Sequence, residues 1–207
     1  VVNLYEQSFF LAALAAFREL AERRGDAEAA REAEARSARI GRVLEERHWD
    51  ERDGFYYDWD VRAQCRVRSK NQDAFYLPRY LRNGERSRRL FEHLRDPAEF
   101  QLRFTPTLAR GEAGFDPEGY WCGGYWPRES NYIARALDAA GYRGQAVELL
   151  IKALCAGTGK KIPENLDPLM GGDNTGITGM AYNVLVALAL GELAANGADL
   201  SNRPNDP

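Results

Sequence analysis

Between Asp116 and Tyr132 the chain reads DPEGYWCGGYWPRESNY. Two tryptophans, three tyrosines and three glycines stand there among Glu118, Arg128, Glu129 and Asn131. Aromatic faces stack on the apolar CH faces of sugar rings, while amides, guanidinium groups and carboxylates hydrogen-bond hydroxyls. Glycine lets a backbone turn sharply or approach a ligand closely. About thirty residues later, Ile162-Pro163-Glu164-Asn165-Leu166-Asp167-Pro168 sets a carboxylate between two prolines. Together the two clusters predict a carbohydrate site with an acidic catalytic group. The same residues also fit a plainer role, an aromatic loop packed under a helical domain.

The bulk properties narrow the reading. A chain of 207 residues with 44% apolar composition is enough for one domain with a real core. The boundaries read as a domain over 1–196 and a polar tail over 197–207. A formal charge of −3, with both signs mixed along the chain, predicts neither a nucleic-acid nor a membrane-surface partner. No run approaches the roughly 18 apolar residues of a membrane span, and no secretory leader pattern is present. The sequence starts at Val1, inside a helical pattern, as a fragment, a trimmed chain or a processed chain would. Cys65, Cys122 and Cys155 are widely spaced, odd in number and match no metal-ligand spacing. His48 and His93 lie near apolar stripes of expected helices. No metal and no cofactor is expected, and a reducing, cytoplasmic setting is the default.

The elements that must position the two clusters are helices. Apolar residues at Leu4, Phe9, Phe10, Leu14, Phe17, Leu20 and Ala21 follow a helical period over 3–24. Asn3 and Glu6 make a capping-box-like start. Gly25-Asp26 ends this helix and starts a second through His48, with Ala33, Ile40, Val43 and Leu44 on its buried face; the two form an αα-hairpin. Trp49–Asp58 (WDERDGFYYD) reads as a turn leading into an extended segment. Further helices are expected at 71–82, 84–95, 130–140, 143–156 and 176–196. The stretches 96–128 and 157–175 hold most of the Gly and Pro and read as long ordered loops, a length at which loops are usually functional.

Four segments, in order, resemble the catalytic domain of mannosylglycerate hydrolase-like and trehalase-like glycosidases (glycoside hydrolase family 63 and relatives). Trp49–Asp58 resembles that family's WDEEDGFYYD element, and Leu90–Phe100 its hL.DP..F segment. Phe115–Tyr132 resembles YDPE.GYWNGGVWPPTNY, and Gly157–Pro168 resembles GT.WENYAP, which carries the catalytic carboxylate. The likeness covers nearly the whole chain as the C-terminal half of such a domain. It implies an all-α, (α/α)6 toroid-type fold, of which this length supplies about half: helical hairpins with long aromatic loops and a minor β segment. It also implies inverting hydrolysis of an α-glycoside such as glucosylglycerate, mannosylglycerate or an α-linked disaccharide. In that chemistry a base activates water on the face opposite an acid, with the two carboxyls about 6.5–9.5 Å apart.

By that resemblance Glu164 takes the place of the base. Trp121 and Trp126 match the aromatic platform, and Asn131 and Tyr132 the NY pair; Tyr125 and Asn165 join the substrate-binding set, with Tyr120 a weaker candidate. The family's acid, an aspartate in an SGWD-type motif before the first helix of this chain, has no counterpart here. Asp167, Asp173, Glu118 and Glu129 are the alternatives, and their spacing singles out none. Cys122 stands where Asn or Arg is usual, Tyr125 where Val is usual, Arg128-Glu129-Ser130 replaces a Pro-Pro-Thr-like run, and Ile177 takes a tryptophan's place. Two functions therefore remain open, the base-carrying half of a glycosidase and a non-catalytic carbohydrate-binding or structural module. Sugar epimerases and unsaturated glucuronyl hydrolases use similar barrels but different constellations. The expected partners are a small carbohydrate and, through an exposed apolar flank, either a second copy or a missing N-terminal half.

Overall fold

The computed structural model describes residues 1–157, 163–177, 179 and 184–197. It divides into two compact units, Val1–Leu90 and Phe91–Pro207. The described residues are mainly α-helical, with two small antiparallel ribbons, as the all-α reading requires.

The first unit opens with α1 (Leu4–Arg23) and α2 (Ala27–Val43), which pack together as a hairpin. Asn3 caps α1 by accepting the Glu6 N–H at 2.7 Å, and Asp26 caps α2 by accepting that of Ala29 at 3.0 Å. Both bonds satisfy amides that no helical carbonyl can reach. Gly25 adopts φ +74° between the helices, a conformation that costs glycine little. The buried face of α1 is Leu4, Ser8, Leu11, Leu14 and Ala21, whereas Phe10, Phe17 and Leu20 point outward. The single apolar stripe expected for this helix is therefore two stripes. On the second helix Ala33 and Leu44 are buried, but Val43 is exposed.

After Val43 the chain makes one π-helical turn, Leu44–His48, and enters a ribbon of β1 (Trp49–Asp50) and β2 (Phe55–Tyr56). The extended segment continues into a second ribbon absent from the sequence reading, β3 (Asp58–Asp60) with β4 (Cys65–Val67). Val2 pairs with Trp59 on its edge, exchanging two backbone hydrogen bonds. The helix expected at 71–82 splits into a 3₁₀ turn, Gln72–Tyr76, and α3 (Pro78–Leu81). Pro78 has no N–H to continue an α-helical ladder and starts a helix instead. The helix α4 (Gly84–His93) begins beside Asn83, whose side chain accepts the Arg86 N–H, and runs past the division between the units.

The second unit is built on α5 (Glu129–Ala139), α6 (Arg143–Gly157) and α7 (Val184–Ala195), each packed on the other two. Their shared core is Ile133, Ala134, Ala136 and Leu137 against Ala146, Val147, Leu150 and Ala153, with Val186, Ala189 and Leu193 from α7. Leu150 is fully buried, so truncating it to Ala removes about 2–5 kcal/mol of stability. The last helix starts later than expected. Gly176 has φ +67° and Ile177 is not helical. Asp173 accepts the N–H groups of Thr175 and Gly176, which holds the chain in a turn there. Residues 158–162, which include Ile162 of the second cluster, 178 and 180–183 of the expected last helix, and 198–207 of the expected tail lie outside the described residues.

Candidate active site

Two loops of the second unit make the site, and the backbone joins them. Tyr125 and Leu166 exchange N–H···O bonds of 2.7 and 2.9 Å, and the Phe104 N–H donates to the Pro168 carbonyl at 3.0 Å. Asn165, fully buried, donates to the Tyr120 carbonyl at 3.0 Å and accepts from Asn174 at 2.7 Å. Asn174 also donates to the Pro117 carbonyl at 2.9 Å. Glycines 123 and 124 make this closeness feasible. A Cβ on Gly124 would stand 2.5 Å from the Asn165 amide nitrogen, and one on Gly123 would strike the Asp116 carbonyl. Asn165 is thus the clamp between the aromatic loop and the acidic one, buried away from solvent rather than presented to it.

That clamp sets Glu164 beside the aromatic residues. Glu164 is 7% exposed. Its Oε1 accepts from the Tyr120 hydroxyl at 3.0 Å, across 44 residues of chain, while its Oε2 is buried with no hydrogen-bond partner among the described residues. Most buried polar atoms in folded proteins have a partner, so an orphan carboxylate oxygen calls for a specific explanation. Partial desolvation, the hydrogen bond to Glu164 and the charge of that carboxylate push the Tyr120 phenol above its ordinary pKa, with Arg128 opposing. The phenol therefore stays protonated at neutral pH and keeps donating.

The two tryptophans form one stack. Trp121 and Trp126 lie 4.1 Å apart and 4° from parallel, with Tyr120 edge-on to both at 6.0 and 4.7 Å. Trp126 is buried and donates its indole N–H to the Tyr120 carbonyl at 2.8 Å. Trp121 is 43% exposed. Only one of the pair thus offers solvent-accessible ring surface, and the other supports it from behind. The Arg128 guanidinium lies 5.7 Å from the Trp121 ring and 5.3 Å from that of Trp126, and its Nε donates to buried Glu129 at 2.6 Å. The departure from the resembled motif at 128–129 therefore brings a cation to the rings and a carboxylate to hold it.

The other candidates sit elsewhere. Tyr125 is fully buried, stacked on Phe104 at 4.8 Å, with its hydroxyl 3.0 Å from Ser130 Oγ. Its place is the floor beneath the loops. Asn131 is buried on α5 and accepts from Arg135 at 2.9 Å, a bond within its own helix. Tyr132 is half-buried in the first part of α5. Of the alternative acids, Asp167 accepts the N–H groups of Leu169 and Met170, and Asp173 those of Thr175 and Gly176. Both are occupied in turning the chain. Glu129 is paired with Arg128, and Glu118 is exposed on the loop surface. Among the described residues the four alternative acids are thus held in turns, paired or exposed, whereas Glu164 keeps one buried carboxylate oxygen without a partner.

His48 is buried and donates from Nδ1 to the Tyr57 carbonyl at 2.8 Å; His93 faces Glu99. The three cysteines are exposed, and none forms a disulfide among the described residues. Among the described residues no group of three or more His, Cys, Asp or Glu could hold a metal ion, and no helix is long and apolar enough to cross a membrane.

The model of the mannosylglycerate hydrolase MGH1-like glycoside hydrolase domain matches residues 5–183. The chain belongs to that family. Its fold is also that of a mannosylglycerate hydrolase of family 63 from Thermus thermophilus, solved with glucose, at TM-score 0.79 and 24% identity. The match covers 90% of this chain and 46% of that one. Neutral trehalase from Saccharomyces cerevisiae matches at TM-score 0.61 and 16% identity, over 79% of this chain and 32% of the enzyme. A search of the curated proteins finds no match. This MGH1-like chain therefore spans less than half the length of the solved structures it resembles, and its all-α architecture is part of a toroid-like glycosidase fold.

The roles of Tyr120 and Arg128 in this MGH1-like domain were weakly marked in the sequence. Tyr120 precedes a tryptophan in an aromatic run, which signals a site but not the partner of its hydroxyl. The signal for Arg128 was its place directly after Trp126-Pro127, where a guanidinium can fold back over the ring.

Proposed function

We propose that this chain carries the water-activating base and the aromatic platform of an inverting α-glycoside hydrolase acting on a small glucoside or mannoside. One observation carries the reading: Glu164 is buried, held through one oxygen by Tyr120, and its other oxygen has no partner among the described residues. A general base needs a lone pair aimed at the water it deprotonates and a fixed orientation for the rest of the carboxylate. Tyr120 supplies the orientation and Oε2 the lone pair. A sugar stacked on Trp121 brings its anomeric carbon to that water. The water proton passes to Oε2 as its oxygen attacks, and the glycosidic bond breaks on the opposite face. There an acid must protonate the leaving oxygen, which makes the product the opposite anomer. The described residues offer no second carboxyl suited to that task, so the acid comes from the portion of the family's domain that this chain does not span. Arg128 beside the platform suits an aglycone bearing a carboxylate, as in glucosylglycerate or mannosylglycerate.

The test is proton NMR of the chain mixed with trehalose, kojibiose, glucosylglycerate and mannosylglycerate, beside Glu164→Gln. Saturation-transfer signals from one of these sugars, weakened by Trp121→Ala, are expected from the chain alone. Release of the β-sugar, abolished by Glu164→Gln, is expected once the rest of the domain is supplied. Retained anomeric configuration, or full turnover by Glu164→Gln, would overturn the assignment.

A further inference from the structure

The outward face of α1 carries a second, solvent-exposed heptad. Its members are Glu6, Phe10, Ala13, Phe17, Leu20 and Arg24, spaced 4-3-4-3-4 along the helix and all exposed. Phe10, Phe17 and Leu20 are 49%, 53% and 54% exposed. Single exposed apolar residues are ordinary, but three large ones in register on one helix face form a seam. The alternating 4-3 spacing is that of a two-helix coiled coil, in which such a seam faces a partner helix.

We propose that α1 pairs with α1 of a second copy of this chain, antiparallel, about a two-fold axis near Ala15. The seam is self-complementary in that one arrangement. Inverting it about residue 15 sets Glu6 opposite the partner copy's Arg24, Phe10 opposite Leu20, and Ala13 opposite Phe17. The same matches recur on the other side of the axis, as an isologous interface requires. Opposite charges meet at both ends, and a small side chain meets a large one at each inner step. Ala15 and Ala16, both exposed, occupy the centre, where the backbones must come closest. A parallel pairing would instead set Glu6 against Glu6 and Arg24 against Arg24, so charge selects the antiparallel form. Two helices of this length bury less than the roughly 1,600 Å² of a standard interface, so the dimer is weak and concentration-dependent. The competing occupant of this face is the remaining part of the family's domain, and the experiment separates the two.

Sedimentation equilibrium of the full 207-residue chain should show the weight-average mass rising above 23.3 kDa toward twice that value as concentration increases from about 1 to 100 μM. Phe17→Glu should hold the chain at the monomer mass at every concentration, with its helical circular dichroism unchanged because the side chain is exposed. Glu6→Arg and Arg24→Glu should each weaken association several-fold, and the double variant should restore it, since the exchanged charges again meet across the axis. The restoration also tests the proposal if Phe17→Glu disturbs folding. A monomer at all concentrations would overturn the proposal and assign the seam to the rest of the domain. Dimerisation indifferent to Phe17→Glu and to the charge exchange would overturn it as well.

Discussion

Asp50 and Glu164 are both almost completely buried carboxylates, one in each unit of the chain, and their surroundings differ in kind. Asp50 has both oxygens occupied: Oδ1 accepts the N–H groups of Arg52 and Asp53 at 3.0 Å each, and Oδ2 takes Arg68 at 2.6 Å and Arg66 at 3.5 Å. Burial alone would raise its pKa, but the hydrogen bond from Asp53, that of Arg68 and the arginine charge outweigh it and hold the group below its ordinary value. Glu164 has one oxygen held by Tyr120 and the other without a partner among the described residues. The two are equally hidden from solvent, so burial does not distinguish them. The bonding capacity left unspent on Glu164 does.

Paired substitutions turn that contrast into the largest expected effects. Under the proposed function, Glu164→Gln keeps the shape and the contact with Tyr120 but removes the proton acceptor, so turnover by the completed domain should fall by 10²–10⁴. Its urea midpoint should barely move. Asp50→Ala should behave in the opposite way. It leaves two loop N–H donors without their acceptor and takes one of two acceptors from each of Arg66 and Arg68, and should cost about 1–3 kcal/mol of stability. Sugar binding per folded molecule should be unchanged. Glu164→Gln lowering the unfolding midpoint as much as Asp50→Ala does would erase the distinction.

Tyr120→Phe sharpens the comparison from the side of the partner. Deleting one hydroxyl gives Glu164 two bare oxygens and releases its orientation. Turnover should drop by about tenfold to a hundredfold with KM little changed. A change confined to KM would make Tyr120 a sugar contact rather than a positioning group. Trp121→Ala should do the reverse, raising KM by roughly tenfold, ~1.4 kcal/mol, with kcat less affected.

How far the sequence foretold this arrangement depends on the kind of information each residue carries. Glu164 and Trp121 stood out because carboxylate and indole chemistry is a property of residue type. The helices at 4–23, 27–43 and 129–139 followed from periodicity and local caps such as Asn3 and Asp26. Assignments that depend on long-range packing were not legible. Tyr125 and Trp126 look like binding aromatics in a motif, yet both are buried, because nothing local tells which ring faces the core. Phe10 and Phe17 share α1's period with Leu14 but not its burial. The bond between Tyr120 and Glu164 spans 44 residues, and no local pattern encodes it. The second ribbon, Asp58–Asp60 with Cys65–Val67, was missed because three-residue strands are too short for alternation to register.

The smallest effect tests whether another buried ionisable group of the first unit, His48, behaves as structure alone. His48 is enclosed, so burial lowers its pKa; the Tyr57 carbonyl works against that shift, and the charges of Arg66 and Arg47 reinforce it. A base whose folded pKa lies below its unfolded value binds fewer protons in the folded state across the interval between the two. Stability must therefore fall as pH drops below the unfolded value of about 6.5, with a slope of at most about 1.4 kcal/mol per pH unit for this one proton. Below the depressed folded value the slope vanishes. Urea midpoints measured between pH 7.5 and 5 should decline accordingly, and His48→Gln should flatten the decline while leaving sugar binding intact. An unchanged slope in that variant would mean that another group carries the proton, and would remove His48 from the account of the first unit's stability.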